Sequence, residues 1–212
     1  MPEGEVVAEP RLKPLSPEQW DDEVLAALRG AFPAKVVEQF RSATAPSAAV
    51  TTLLHNPALA GPWLVYNNQL LWNSTLDDRS RELMILRVAW RTGSNYEWVQ
   101  HVKLGSRFGI TRDDLDAIRL GDPARHWTPL ETALVAATDQ LLDDYRIDDA
   151  TWARLTTELD GRQLVELVFV VGSYTCLAMA FESFGLQVEP GTDTTEAEPL
   201  PRDATPCQSE AS

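Results

Sequence analysis

The apolar residues of this chain recur mainly every three or four positions, which is the spacing of one face of an α-helix. Leu83, Leu86 and Ala89 show this pattern, and a similar pattern occurs in residues 128–143. No segment alternates apolar and polar residues between hairpin turns, as paired strands do. The sequence therefore predicts an all-α fold.

Capping residues, prolines and glycines mark where the predicted helices begin and end. Residues 16–19 (SPEQ) and 128–131 (TPLE) have the capping-box pattern with proline at the first helical position. Asp77 or Asp78 caps a further helix, and Gly93 ends it. Eight or nine helices result, at about 17–30, 50–54, 57–70, 77–92, 94–108, 111–118, 128–143, 148–155 and 161–185.

Length and composition predict one folded body with loose ends. A chain of 212 residues, 44% of them apolar, is long enough for one substantial core. We expect a single helical domain over residues 15–187. Residues 1–14 and 188–212 contain little to bury, so the sequence predicts that these two tails are disordered, the second of them acidic.

The net charge disfavours two classes of partner. With 18 Lys and Arg against 32 Asp and Glu, the formal charge is −14. Nucleic acids and anionic lipids are bound largely through basic side chains, so neither is an expected partner. The chain begins without the basic and apolar regions of a signal peptide, and its longest apolar stretch, 164–184, is interrupted by Glu166 and Glu182. With only Cys176 and Cys207, no disulfide framework is implied, and a cytoplasmic location is expected.

The candidate chemistry consists of two carboxylates and one imidazole. Glu97 and His101 are four residues apart, which places both on one face of a helix, and Glu82 lies on the preceding helix. An imidazole beside carboxylates can accept and donate protons near neutral pH. The alternative is structural: Glu97 and His101 form a surface pair, and Glu82 pairs with Arg79 or Arg87 on its own helix.

Several segments resemble the carboxymuconolactone decarboxylase family, which shares its fold with the alkyl hydroperoxidase D proteins. They are 55–59 (HNPAL), 81–89 (RELMILRVA), 96–101 (YEWVQH) and 109–111 (GIT), and the resemblance extends from residue 47 to about 185. It implies an alkyl hydroperoxidase D-like helical bundle that forms homo-oligomers, commonly trimers or hexamers. It also implies a site between helices, often close to a subunit boundary.

The resemblance distinguishes two branches of the family. The peroxidase branch has Glu and, twelve residues later, Cys-x-x-Cys-x-x-x-His; here Glu82 is followed by Ser94, Glu97 and His101 at those positions. Neither a hydroxyl nor a carboxylate can form a disulfide, so thiol peroxidase chemistry by that route is excluded. The decarboxylase branch keeps Glu and His where this chain has Glu97 and His101, which implies acid/base chemistry.

The resulting hypothesis is a cofactor-independent lyase or isomerase that acts by proton transfer on a small organic acid or lactone. His101 is the general acid or base, Glu97 tunes it or protonates a carbanionic carbon, and Glu82 orients His101 or relays protons. No cofactor and no metal are expected, because the paired Glu-x-x-His elements of di-iron bundles are absent. The predicted substrate-binding residues are Ser94, which is alternatively only a helix cap, and the aromatic residues Tyr96, Trp98 and Trp63.

Two other readings remain open. The chain is alternatively an alkyl hydroperoxidase D-like oxidoreductase relative without redox cysteines, in which Glu82 and His101 serve another redox partner. It is otherwise a non-catalytic oligomeric binding protein. A hydrogen bond from His101 to Glu82 or Glu97 in a secluded site favours an enzyme, whereas side chains directed into bulk water favour the binding protein.

Overall fold

A computed structural model describes residues 9–43, 46–121, 126–195, 197 and 200. In this part of the chain the secondary structure is entirely helical, which confirms the all-α prediction. The ten α-helices are α1 (Asp22–Ala31), α2 (Ala34–Ser42), α3 (Ala48–Leu53), α4 (Pro57–Trp72), α5 (Asp78–Thr92), α6 (Asn95–Gly105), α7 (Arg112–Leu120), α8 (Pro129–Asp144), α9 (Asp149–Leu155) and α10 (Gly161–Phe184).

Two details near the start of the chain differ from the prediction. Helix α2 was not predicted, and it raises the number of helices from eight or nine to ten. The capping box of Ser16 opens only a short 3-10 helix, Pro17–Gln19, rather than α1. Helix α1 instead begins after Asp21, whose side chain accepts a hydrogen bond from the Val24 amide at 2.9 Å.

The chain divides into two compact units. The first contains residues up to 69 and 180–192, and the second contains residues 70–179 and those from 193 onward. Helices α4 and α10 contribute residues to both units. The single domain expected over residues 15–187 stays a prediction.

The first unit has a small apolar core built on α1. Hydrogen bonds join the two chain segments of this unit: the Arg11 amide donates to the Phe184 carbonyl at 2.8 Å, and the Ala48 amide donates to Glu189 Oε1 at 2.7 Å. The buried members of the core are Trp20, Val24, Leu28, Val37, Leu54 and Ala60.

The second unit is organised around α5. All ten residues from Ser80 to Ala89 are buried, and α5 packs against α6, α7 and α8. This stretch includes the charged residues Arg81, Glu82 and Arg87, so α5 is buried on every face although its sequence is not uniformly apolar. Burying charges in this way requires partners from the surrounding helices.

The loop before α5 is fixed by a single carboxylate from α10. Glu166 Oε2 accepts hydrogen bonds from the Ser74 hydroxyl and the Thr75 amide, both at 2.7 Å, and from the Leu76 amide at 3.2 Å. Burial acts to raise the pKa of Glu166, but these donors outweigh it and lower the pKa. The start of α5 is therefore held in a defined place.

Parts of both predicted tails make specific contacts. In the first unit these are the hydrogen bonds of Arg11 and Glu189 described above. In the second unit Leu200 is buried, and its amide donates to Asn95 Oδ1 at 2.9 Å. The prediction of disorder for residues 1–8 and 201–212 lies outside the described residues.

Among the described helices, α10 alone has the length and composition that would allow a helix to cross a membrane. The central helix of a water-soluble protein passes the same test. Part of its most apolar window, 39%, is buried inside the structure. Length and composition therefore do not by themselves assign α10 to a bilayer.

Candidate functional site

The candidate site lies where α5 and α6 pack together in the second unit. Asp77 caps α5, and Gly93, in the left-handed region at φ 71°, turns the chain into α6. Gly105 lets the two helices approach closely: a Cβ atom on it would lie 3.0 Å from Ile110 Cγ1 and 3.6 Å from Glu82 Cβ. Local sequence signals thus bring Glu82 to the face of α6 that carries His101.

Glu82 and His101 form a direct hydrogen bond. His101 Nδ1 lies 2.7 Å from Glu82 Oε2, and both residues are buried, with Glu82 fully inaccessible and His101 8% exposed. A carboxylate can only accept a hydrogen bond, so an ionised Glu82 holds the imidazole proton on Nδ1. The tautomer that results has its lone pair on Nε2, where it can accept a proton.

A buried arginine accompanies this pair. Arg81 Nη2 lies 3.4 Å from Glu82 Oε1, and its Nη1 donates to Asp78 Oδ1 at 2.7 Å. The guanidinium group also lies over the Phe108 ring, 5.6 Å from its centroid. Arg81 therefore places a positive charge beside the Glu82 carboxylate in a part of the protein that water does not reach.

Tyr174 of α10 completes the surroundings of the imidazole. Its ring meets that of His101 edge to face, with centroids 5.0 Å apart and an interplanar angle of 90°. Burial raises the pKa of Tyr174 well above 10, and the negative charges of Glu82 and Glu97 raise it further, while Arg81 acts in the opposite direction. The phenol is consequently neutral at physiological pH.

Ser94 and Glu97 occupy the positions at which the peroxidase branch has its two cysteines, and both are buried. Ser94 stands at the N-cap position of α6, but its side chain makes no capping hydrogen bond. The Oγ atom is buried and has no hydrogen-bond partner among the described residues. Ser94 is thus a cap by position only, and its hydroxyl is not used in holding the helix.

The aromatic residues predicted to bind substrate differ in where the structure places them. Tyr96 is buried on α6. Trp98 is buried too, but it packs against Trp90, with ring centroids 5.8 Å apart, and under the guanidinium group of Arg119. Trp63 is half-buried in the first unit. A substrate-binding role for Ser94, Tyr96, Trp98 and Trp63 stays a prediction.

The arginines that could have paired with Glu82 have other partners. Arg79 makes two hydrogen bonds with Asp114, at 2.7 and 3.0 Å, and one with Glu131 at 2.8 Å. Arg87 makes two hydrogen bonds with Asp139, at 2.7 and 2.8 Å. The alternative in which Glu82 pairs with Arg79 or Arg87 is therefore wrong, because the described contacts of Glu82 are with His101 and Arg81.

Sequence reasoning missed Arg81 and Tyr174 as members of the site. Arg81 was recognised only as part of a motif, because adjacent helical residues do not share a face. Tyr174 lies on a distant helix, and the only sequence signal was a phenol within an apolar run. Cys176 is exposed although its neighbours in the sequence are apolar.

No group of three or more His, Cys, Asp or Glu side chains is arranged to bind a metal ion within the described ranges. The expectation that no metal or cofactor takes part stays a prediction. Of the two cysteines, Cys176 is exposed on α10, and Cys207 lies outside the described residues.

Comparison with solved structures supports the same fold. A protein of unknown function from Agrobacterium tumefaciens, named as a candidate AhpD antioxidant-defence protein, matches with a TM-score of 0.58 and 18% identity, over 63% of this chain and 92% of that one. An uncharacterised peroxidase-related protein from Silicibacter matches with a TM-score of 0.67 and 12% identity, over 89% and 96%. A peroxidase-related protein with an alkylhydroperoxidase AhpD core, from Ralstonia eutropha, matches with a TM-score of 0.70 and 12% identity, over 91% and 100%.

Sequence comparison finds one family that part of the chain matches. No curated protein sequence matches this chain. Residues 57–140, which contain Glu82, Ser94, Glu97 and His101, match the carboxymuconolactone decarboxylase family. Over this segment the chain is therefore similar to the carboxymuconolactone decarboxylase family, and its fold is that of the alkyl hydroperoxidase D-like proteins.

Proposed function

We propose that this protein is an acid/base enzyme that decarboxylates or isomerises a small organic acid or lactone. The observation that carries the proposal is the buried hydrogen bond of 2.7 Å between His101 Nδ1 and Glu82 Oε2. A buried imidazole oriented by a carboxylate is a common arrangement for proton transfer, because the carboxylate fixes both the ring and its tautomer.

Each residue has a distinct role in the proposed reaction. His101 Nε2 removes a proton from the substrate or returns one to it. Glu82 holds the proton on Nδ1 and balances the positive charge that the ring gains when Nε2 is protonated, and Arg81 offsets the charge of Glu82 while the ring is neutral. Glu97 is the second acid of the site.

For decarboxylation, the bond between the substrate carboxylate carbon and its neighbour breaks, and its electron pair stays on the neighbouring carbon as carbon dioxide leaves. The carbanion then takes a proton from a protonated Glu97, or from His101 Nε2 after that nitrogen has accepted one, and a proton from solvent restores the donor. Delocalisation of the electron pair into a lactone or conjugated system is required, so the substrate is an unsaturated or lactone-type acid. Exclusion of water by the buried surroundings of Glu82 and Tyr174 favours this chemistry.

The test is a substrate screen with matched histidine variants. The protein is incubated with unsaturated carboxylic acids and lactones, and release of carbon dioxide or exchange of substrate hydrogen for solvent deuterium is measured. We expect His101→Gln to lose at least about a hundredfold in rate, which is the usual contribution of a general acid or base. His55→Gln is the control, because His55 contacts the Lys13 carbonyl rather than a carboxylate.

The second candidate is a non-catalytic binding protein, and the buried Ser94 Oγ without a partner favours it, since such a hydroxyl can hold a small polar molecule. The same compounds are tested for binding by thermal stabilisation. Binding that is equal in the wild type and His101→Gln, with no turnover in either, supports the binding protein and contradicts the enzyme.

A further inference from the structure

The exposed side of α10 is apolar over fifteen residues. Six positions between Val165 and Met179 face solvent, and none of them carries a charge. Val165 is 57% exposed, Phe169 53% and Met179 61%. Apolar surface of this extent is uncommon on a protein that has no partner there. We call these positions the α10 stripe; they are Val165, Val168, Phe169, Gly172, Cys176 and Met179.

Five of the six positions of the α10 stripe are symmetric about Gly172, and Phe169 is the exception. Val165 and Met179 lie seven residues before and after Gly172, and Val168 and Cys176 lie four residues before and after it. When two identical helices pack antiparallel about a two-fold axis, each residue meets the residue equally far on the other side of the centre. The α10 stripe is thus spaced so that it can pack against a copy of itself.

The centre of the α10 stripe allows close approach. A Cβ atom added to Gly172 would meet nothing within 4 Å, so the missing side chain is not required by packing inside the chain. A glycine at the crossing point of two helices lets their backbones come closer than larger side chains permit. Gly172 therefore leaves room for a second helix to cross α10 closely at this point.

The ends of the α10 stripe carry opposite charges. Arg162 lies one turn before Val165, and Glu182 lies one turn after Met179; both are exposed. They are equally distant from Gly172, so antiparallel packing brings Arg162 of one copy near Glu182 of the other at both ends. Parallel packing would place like charges together, so the charges select the antiparallel arrangement.

We propose that the α10 stripe is the two-fold contact between two copies of this chain, with their α10 helices antiparallel and crossing at Gly172. In this contact Val165 of one copy faces Met179 of the other, and Val168 faces Cys176. A two-fold contact occurs in dimers and in hexamers with three-fold and two-fold axes, but not in a simple trimer. Of the oligomers expected from the family, the contact is therefore compatible with the hexamer only.

The first test uses cysteine cross-linking to measure the register. In a Cys207→Ser background, Val168→Cys should form a covalent dimer under mild oxidation, because position 168 faces Cys176 of the other copy within disulfide reach. Adding Cys176→Ser should abolish the cross-link. The Cys207→Ser protein alone should not cross-link, because the two copies of Cys176 lie on opposite sides of the crossing, about 12 Å apart at 1.5 Å per residue.

The second test exchanges charges across the contact. Val165→Lys and Met179→Glu should each weaken self-association of the full chain at least about tenfold, measured by sedimentation velocity. Mixing the two variants should restore association, because Lys at 165 then faces Glu at 179 in the heterodimer. Leu120→Lys, an equally exposed apolar residue on α7, is the control and should leave association unchanged.

Several results would overturn the proposal. These are a monomer at all accessible concentrations, a cross-link between the two copies of Cys176, or self-association that neither charge variant changes. Binding of the wild type to lipid vesicles that is lost in Val165→Lys would also overturn it, since the α10 stripe would then contact a bilayer. Circular dichroism of each variant establishes that it is folded, which is expected because the substituted positions are exposed.

Discussion

Replacing Gly105 by alanine tests how closely α5 and α6 must approach to form the Glu82–His101 pair. The new Cβ atom would lie 3.0 Å from Ile110 Cγ1 and 3.3 Å from Ile110 Cβ. Ile110 cannot move into solvent, because it is buried and its amide donates to the Gly105 carbonyl at 3.0 Å. The strain must therefore be relieved by a shift of α6 relative to Ile110 or to α5.

Two opposing effects set the expected magnitude. Overpacking of a buried site typically costs about 1–3 kcal/mol. Alanine in place of glycine within a helix contributes about 0.5–1 kcal/mol in the favourable direction. We therefore expect Gly105→Ala to lower the free energy of unfolding by up to about 2.5 kcal/mol. We also expect the His101 ring signals to change in the NMR spectrum, because the hydrogen bond to Glu82 is lengthened or realigned.

The assay is urea unfolding followed by tryptophan fluorescence, with Gly161→Ala as the matched control. Gly161 also lies in a helix of the second unit, but a Cβ atom on it meets nothing within 4 Å. This control should leave stability unchanged or raise it by up to about 1 kcal/mol. If Gly105→Ala is as stable as Gly161→Ala and the His101 signals are unchanged, the close approach is not needed and the reasoning fails.

Three further predictions concern the surroundings of α5. Burial acts to raise the pKa of Asp114, but hydrogen bonds from Arg79, Thr111 and His126 together outweigh it and lower the pKa. The stabilising contribution of Asp114 is therefore complete above its unfolded pKa of about 4 and declines as the pH falls, so an acid titration by circular dichroism should be shallower for Asp114→Asn. Glu166→Ala should lose about 2 kcal/mol of unfolding free energy and Glu166→Gln less, since an amide oxygen still accepts; equal losses would contradict this. Gly121→Ala should lower the free energy of unfolding by about 1–3 kcal/mol, measured by urea unfolding, because the new side chain is strained at a φ of 85° and its Cβ atom would lie 2.6 Å from Arg87 Nη2.

The helices predicted best are those with local signals at both ends. Asp77 and Gly93 define α5, and the structure places the helix at Asp78–Thr92, within a residue of the prediction. Helix α2 was missed because Val37 is its only buried residue, so nine residues give little periodic signal. Trp20 was assigned to the first helix, but Asp21 caps the chain after it and Trp20 lies outside α1.

The candidate site could be predicted as a set of residues but not as an arrangement. Spacing placed Glu97 and His101 on one helix face, whereas the contact of His101 with Glu82 depends on how two helices cross. Tyr174 is separated from His101 by most of the second unit in sequence, so no local pattern connects them. Arg81 was missed because adjacent residues of a helix do not share a face, a rule that does not keep Arg81 away from the site when the helix is buried on every face.

The charges inside α5 also constrain how this protein can diverge. Two of them are matched by residues from other helices: Glu82 by His101 of α6, and Arg87 by Asp139 of α8. Replacing one member leaves the other charge without compensation away from water, which costs about 3–5 kcal/mol. Natural relatives should consequently change such positions in pairs, and a homologue that lacks Arg87 should also lack Asp139.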